Sequence, residues 1–276
     1  MTRLPRIAAI HDLSGFGRCA LTVILPALSA MGVQVCPLPT AVLSAHMGYP
    51  NPIVVDLSDF MVGTTNHWAA TDLHFDAIYT GFLASSRQIA LVEQFIARFA
   101  DENTLVLVDP VMADHGTLYT CFGAAFAADM AAFTHSASLI TPNITEAALL
   151  LGEPYNARPT HADGYRSWVE RLSDVGKRSV VLTGVEPAPN QIGAMLFDHH
   201  SGQLTTVSAP LVAQHYPGTG DLLASVLLGG LLQNRSLTAS AQQAVDFVSA
   251  CAAYTLKAAT PPVEGVQFEV LLRNLM

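Results

Sequence analysis

The sequence predicts an α/β fold, a three-layer sandwich around a mostly parallel central sheet. Short β-branched apolar runs alternate with segments of helical period, which is the pattern of βαβ units covered on both faces. Glycine and polar residues gather at the ends of successive strand-like runs, where such sheets place their ligands. The chain has 276 residues, 51% hydrophobic and 13% charged, enough to bury one large core. No linker, repeat or low-complexity segment divides it, so residues 1–276 are expected to form one domain.

Arg6 to Ile10 reads as a first buried strand, and His11 to Gly17 as the loop after it. Cys19 to Met31 carries a helical period, with Gly32 as its stop. Val33 to Leu38 is a second strand and Thr40 to Leu43 another. Ser44 to Pro52 is a loop, followed by a helix over Asp56–Thr71. Phe75 to Tyr79 is a strand running into Thr80-Gly81-Phe82-Leu83. Ser86 to Ala100 is an amphipathic helix, and Thr104 to Val108 a strand leading into Asp109-Pro110-Val111-Met112. Next come a helix near 122–133, a strand at 138–141, and helices at 143–151 and 162–175. Ser179 to Thr183 is a strand. Residues 191–209 alternate about His199-His200-Ser201-Gly202 as a hairpin. Two long helices close the pattern, near 218–233 and 238–258.

Several function classes are excluded early. The net charge is −9, and only Lys177 and Lys257 supply lysine, so nucleic acid and anionic membrane are not expected partners. Apolar stretches fall short of the roughly 20 residues of a membrane span. Four scattered cysteines form no CxxC pair and read as reduced thiols. With no N-terminal signal pattern, the expected location is the cytoplasm. Gly15-Phe16-Gly17-Arg18-Cys19-Ala20 matches a dinucleotide-binding pattern. The acid which that fold needs about 20 residues on is missing. Gly-Lys-Ser/Thr and GxSxG motifs are absent. His199-His200 reads as a solvated turn.

Three stretches carry chemistry. Gly218-Thr219-Gly220-Asp221 precedes an apolar helix, so backbone amides and a helix N-terminus meet as an anion site beside a carboxylate. Asp109 to Tyr119 places Asp109 and Asp114 beyond a buried strand. Carboxylates there suit Mg²⁺, which takes one or two of them plus phosphate oxygens. Pro142-Asn143-Ile144-Thr145-Glu146 reads both as a helix cap and as a third acid facing the same site.

Taken together, Pro-Asn-x-x-Glu followed by Gly-Thr-Gly-Asp resembles the ribokinase superfamily of ATP-dependent small-molecule kinases, over about residues 7–260. Leu43 to Tyr49 and Asp109 to Tyr119 look like its pyridoxal (vitamin B6) kinase branch. The resemblance implies a ribokinase-like fold and phosphorylation of the 5′-hydroxymethyl of pyridoxal, pyridoxine or pyridoxamine. ATP and Mg²⁺ are the implied cofactors, with a monovalent cation left open. It implies Asp221 as catalytic base and Gly218, Thr219 and Gly220 as the anion hole. Asp109, Asp114, Tyr119, Asn143, Thr183, Gly184 and Thr219 are implied around ATP, and Asp109 and Glu146 around the metal. Asp12, Ser14, His46, Tyr49 and Phe82 are implied at the ring. A homodimer follows by analogy alone. Hydroxymethylpyrimidine kinase is the alternative enzyme, and a non-catalytic B6- or nucleotide-binding protein the alternative class.

Four departures from that branch stand out. Asp12 occupies a usual serine position, Met47 a usual threonine and Ala113 a usual glycine. The segment from Ala209 to Tyr216 is shorter than the usual flap and lacks its arginine. Asp12 is therefore expected to meet a protonated pyridine nitrogen, with His46 on another ring substituent.

Overall fold

The computed structural model describes residues 3–174 and 177–276. Its sheet carries strands β1 (Arg6–Ser14), β2 (Gln34–Leu43), β3 (Val54–Asp56), β4 (Ala77–Thr80) and β5 (Leu105–Val108). A small hairpin, β6 (Ala113–Asp114) and β7 (Thr117–Leu118), stands apart. The sheet continues with β8 (Leu139–Ile140), β9 (Ser179–Val185), β10 (Gln191–Asp198) and β11 (Gln203–Pro210). The helices are α1 (Leu21–Ala30), α2 (Ser58–Ala70), α3 (Ser86–Phe99), α4 (Ala124–Phe133), α5 (Ile144–Leu150), α6 (Ala162–Leu172), α7 (Thr219–Leu232) and α8 (Leu237–Lys257).

The nine strands run in the order β11-β10-β9-β8-β5-β4-β1-β2-β3. Those from β9 through β2 are mutually parallel, and β3, β10 and β11 pair antiparallel at the two edges. Side chains alternate between two cores, as the two-residue period of a strand requires. Ile7, Ala9, Leu107 and Val181 face α1, α7 and α8. Ala8, Ile10, Val106, Val108 and Leu182 face the layer of α2 to α6. The result is the expected three-layer sandwich.

Several boundaries differ from the sequence reading. The first strand reaches Ser14, so the loop expected to begin at His11 starts four residues later, at Gly15. The two strands expected on either side of Pro39 are one strand, β2. Its second edge meets β3 only from Ala41 to Leu43, so Pro37 and Pro39 lie where few ladder donors are needed. The register of β1 against β2 shifts between His11↔Pro39 and Leu13↔Val42, so Thr40 and Ala41 bulge opposite Asp12. β6 and β7 fall in a stretch that reads as loop, and β3 takes in Asp56, the expected first residue of the helix that begins instead at Ser58, since two- and three-residue strands carry no period. Helix α6 ends at Leu172, and residue 175 of the expected helix lies outside the described residues. The hairpin turn falls at the expected His199 to Gly202.

The C-terminal ends of β1, β4, β5, β8 and β9 reach one edge of the sheet, and α7 begins above it. That geometry collects residues from distant parts of the chain.

Candidate active site

One cavity of about 1050 Å³ opens at this edge. Its wall includes Asp12, Ser14, His46, Phe82, Asp109, Asp114, Tyr119, Asn143, Glu146, Thr183, Gly184 and Gly218 to Asp221. Of the residues expected at the site, only Tyr49 is missing from that wall.

Helix α7 starts from Gly218, whose φ of 79° lies in the left-handed region. A Cβ at this position would stand 2.1 Å from the Arg18 carbonyl oxygen, so only glycine fits. The loop that carries the dinucleotide-like glycines thus packs on the α7 start rather than binding a dinucleotide. The first intrahelical amide bond runs from Leu222 to the Gly218 carbonyl. The amides of Thr219, Gly220 and Asp221 precede it and belong to the open N-terminal turn. The Thr219 hydroxyl donates back to the Tyr216 carbonyl at 3.0 Å. An anion placed here meets free amides and the positive end of a fourteen-residue helix.

Asp221 lies in the first turn of α7, and its Oδ2 accepts the Ala20 amide at 2.8 Å. Burial pushes its carboxyl up to about 7, and the charge of Asp12 adds to the shift. The Ala20 hydrogen bond pulls the other way. A carboxylate poised near neutrality suits a general base. Ala20 adopts φ 48° and ψ −134°, a conformation costly for any residue with a Cβ. It holds the Asp221 carboxylate from the turn ahead of α1, and nothing in an alanine announces that contact in the sequence.

Helix α5 is capped as its sequence suggests. The Asn143 side chain accepts the Glu146 amide, and Glu146 Oε2 accepts the Asn143 amide, both at 2.9 Å. Glu146 Oε1 also accepts the Met112 amide at 3.2 Å, which ties the cap to the Asp109 loop. Asn143 Nδ2 donates to the Ala113 carbonyl at 2.9 Å. Asn143 is therefore fully engaged as a cap, with its backbone bridged to Thr183. Glu146 is 3% exposed and Asp109 7%, and each carboxyl stands above the ordinary range. Burial is the main cause for both. The Asp109 charge adds to the shift of Glu146, and the Asp221 charge to that of Asp109.

Among the described residues, none of Asp12, Asp109, Glu146 and Asp221 forms a salt bridge. Arg158 is the one lysine or arginine among the described residues lining the cavity, and its guanidinium lies 4.4 Å above the Tyr155 ring. Buried acids that repel one another without a basic partner fit a divalent cation with oxygen ligands. The donor set therefore fits Mg²⁺, with Asp109 and Glu146 placed to hold it directly or through water.

Asp12, on the same wall, is 6% exposed and its Oδ2 accepts the Ser14 hydroxyl at 2.9 Å. Burial pushes it up to about 6, against the pull of that hydrogen bond. Phe82 supplies an apolar wall, its ring 5.6 Å from Phe122. Two expectations need correction here. His46 lines the cavity but offers it no free nitrogen. Its Nδ1 accepts the Gly48 amide at 3.0 Å, so Nε2 carries the proton and donates to the Val263 carbonyl at 2.7 Å. A Cβ on Gly17 would stand 2.2 Å from the imidazole, so the ring is wedged in place. Tyr49 does not line the cavity. Its ring packs on Phe16 and His46 at 5.3 and 5.0 Å.

The cavity also takes in residues that carried no signal in the sequence: Cys19, Tyr155, Arg158, Glu186 and His215. They come from loops whose positions depend on tertiary packing alone.

The family model for phosphomethylpyrimidine kinase matches residues 8–263. The chain belongs to the phosphomethylpyrimidine kinase family. Its relatives place it in the pyridoxal kinase branch of the ribokinase-like superfamily. A Bacteroides thetaiotaomicron protein crystallised with pyridoxal is 39% identical, with a TM-score of 0.92, covering 99% of this chain and 96% of that one. The pyridoxal kinase of Lactobacillus plantarum is 32% identical, with a TM-score of 0.90, covering 99% and 97%. The pyridoxine/pyridoxal/pyridoxamine kinase of Bordetella avium is 30% identical over 241 residues, 84% of this chain and 79% of that protein. The family member described here is thus a kinase, with its cavity at the edge of the sheet where the open N-terminal turn of α7 stands.

Proposed function

We propose that this kinase transfers the γ-phosphoryl of ATP to the 5′-hydroxymethyl of pyridoxal, pyridoxine or pyridoxamine, with Mg²⁺ as the metal. The observation that carries the reading is the placement of Asp221. A carboxylate near neutrality stands at the open N-terminus of α7, in one cavity with the buried acids Asp109 and Glu146. The 39% identical protein crystallised with pyridoxal supports the choice of ring.

In this reading Asp221 accepts the hydroxyl proton as oxygen attacks the phosphoryl group. The amides of Thr219, Gly220 and Asp221 meet the charge that develops on the moving group. Mg²⁺, when bound, neutralises the phosphate oxygens beside Asp109 and Glu146. Asp114, Tyr119, Asn143, Thr183 and Gly184 shape the ATP end, and Arg158 supplies a cation there. Asp12, steadied by Ser14, pairs with a protonated ring nitrogen, while His46 and Phe82 shape the ring pocket. The enzyme works in the cytoplasm, consistent with four free cysteines and with no described helix long and apolar enough to cross a membrane. It acts as a homodimer through the exposed apolar edge at Ile53, Val54 and Val55, which sedimentation at micromolar concentration checks. A monomer would remove the dimer.

The family description favours one second reading, a hydroxymethylpyrimidine kinase with the same chemistry on another ring. Steady-state rates with the three B6 vitamers and hydroxymethylpyrimidine separate the two. A kcat/KM for pyridoxal above that for hydroxymethylpyrimidine is expected. The reverse order would assign the pyrimidine.

A further inference from the structure

The β6–β7 turn and the strap between β11 and α7 face each other across the mouth of the cavity. Asp114 and His115 come from the turn, and His215 from the strap. His115 has φ 49° and Gly116 φ 79°, the paired left-handed values of a two-residue hairpin turn. The Asp114 carboxylate is split in its duties. Oδ1 accepts the His115 amide at 2.8 Å, and Oδ2 faces two imidazoles. His115 Nε2 stands 3.7 Å from Oδ2, and His215 Nε2 stands 3.6 Å from it. The two rings are 4.9 Å apart at 70°. All three donor atoms fall within 4.8 Å of one another.

We propose that Asp114, His115 and His215 form a binding site for a zinc-class divalent ion that latches the strap to the hairpin. With metal–ligand bonds of about 2.0–2.2 Å, the edges of a tetrahedral site are roughly 3.3–3.5 Å. Two donor pairs already stand near that length. The third closes by rotation of exposed side chains, which costs little packing. Two imidazoles and one carboxylate with an open fourth position is a known zinc donor set. All three residues line the cavity. The nitrogen donors also select against Mg²⁺, which demands oxygen. This site is therefore chemically distinct from the all-carboxylate pair Asp109 and Glu146. An ion here would join two loops that are otherwise separate in sequence, and hold the strap over the cleft.

The test uses the full chain without nucleotide or substrate, so it stands apart from the phosphoryl-transfer reading. Co²⁺ is titrated and its visible absorption followed, then Zn²⁺ is added to displace it. One equivalent with the intense bands of four- or five-coordinate cobalt is expected, unaffected by millimolar Mg²⁺. His215→Asn and His115→Asn should each weaken cobalt binding at least tenfold while the melting temperature holds. His199→Gln with His200→Gln removes the other adjacent histidine pair, whose rings lie 4.0 Å apart, and should change nothing. Zn²⁺ should slow hydrogen exchange across residues 211–216 in the wild type and not in His215→Asn. Wild-type affinity in both single variants would overturn the proposal. So would loss of binding only in the His199/His200 variant, or unchanged exchange in the strap.

Discussion

Asp12 sits opposite the Thr40-Ala41 bulge, with its carboxyl on the cavity wall and Ser14 bonded to it. Burial raises its affinity for protons, and a cationic ring nitrogen would stabilise the ionised form in their place. Asp12→Asn is expected to raise the KM for the vitamer by about 5–100-fold, equivalent to ~1–3 kcal/mol for a hydrogen bond to a charged group. The KM for ATP should hold. Equal changes in both, or a collapsed melting transition, would make Asp12 a loop anchor only. Glu146 serves the α5 cap and the acid cluster at once, and its two duties separate experimentally. In Glu146→Gln the Mg²⁺ concentration for half-maximal rate should rise, because a hard cation loses a carboxylate. A lower melting temperature with an unchanged Mg²⁺ titration would leave only the cap. At this scale the sequence showed Asp109, Glu146 and Asp221, which stand before a proline, in a helix start and after a glycine, whereas Asp12 was marked by the family resemblance alone. It did not show how His46 spends its nitrogens, nor that Ala20 holds Asp221. Those depend on Val263, Gly48 and the α7 start, all of which reach the site only through the fold.

Helix α7 owes its working end to Gly218. Alanine there would have to hold φ 79° and displace the Arg18 carbonyl. Gly218→Ala is expected to cut kcat sharply, by at least about tenfold, because a small shift of positioned donors costs that much or more. The melting temperature should fall as well, and activity should fail to recover when stability is restored by a saturating nucleotide. Full activity in a folded Gly218→Ala protein would show that the turn tolerates a side chain and that the α7 amides are not the anion site. Elements with a strong period are legible in the amino-acid pattern itself. The amphipathic α3, the α5 capping box and the β10–β11 hairpin with its turn at His199 to Gly202 are examples. Short pairings are not. β3 and the β6–β7 hairpin exist because neighbouring edges and loops offer hydrogen-bond partners, which no local pattern records. β2 reads as two strands because prolines interrupt the pattern, whereas in the fold an open edge accommodates them.

Across the whole molecule, a −9 chain concentrates unpaired acids at one end of its sheet. Asp12 and Asp221 bind protons in the folded state up to about pH 6 and 7, against 3.8 when unfolded. Asp109 and Glu146 are displaced in the same direction. Folding therefore takes up protons at these groups. Their contribution to stability is full below about pH 4 and is lost as pH rises through 6 to 8. Mg²⁺ binds the ionised acids, so its stabilisation should grow over that interval. Melting temperatures measured with and without Mg²⁺ from pH 5 to 8 should diverge as pH rises, and parallel curves would argue against a shared acidic metal site. The three-layer architecture was legible from the alternation of elements, and the position of the site from where the glycines and acids fell. The size of the cavity and its outer residues were not, because loops from five strand ends meet only once the sheet is built. The central claim is phosphorylation of a hydroxymethyl with Asp221 as base. It is tested most directly by following pyridoxal 5′-phosphate formation from pyridoxal, ATP and Mg²⁺ by wild type and Asp221→Asn. Stoichiometric phosphate ester and ADP are expected from the wild type, with kcat lower by about 10²–10⁴-fold in the folded Asn variant. No ester from the wild type, or equal turnover by Asp221→Asn, would contradict the account.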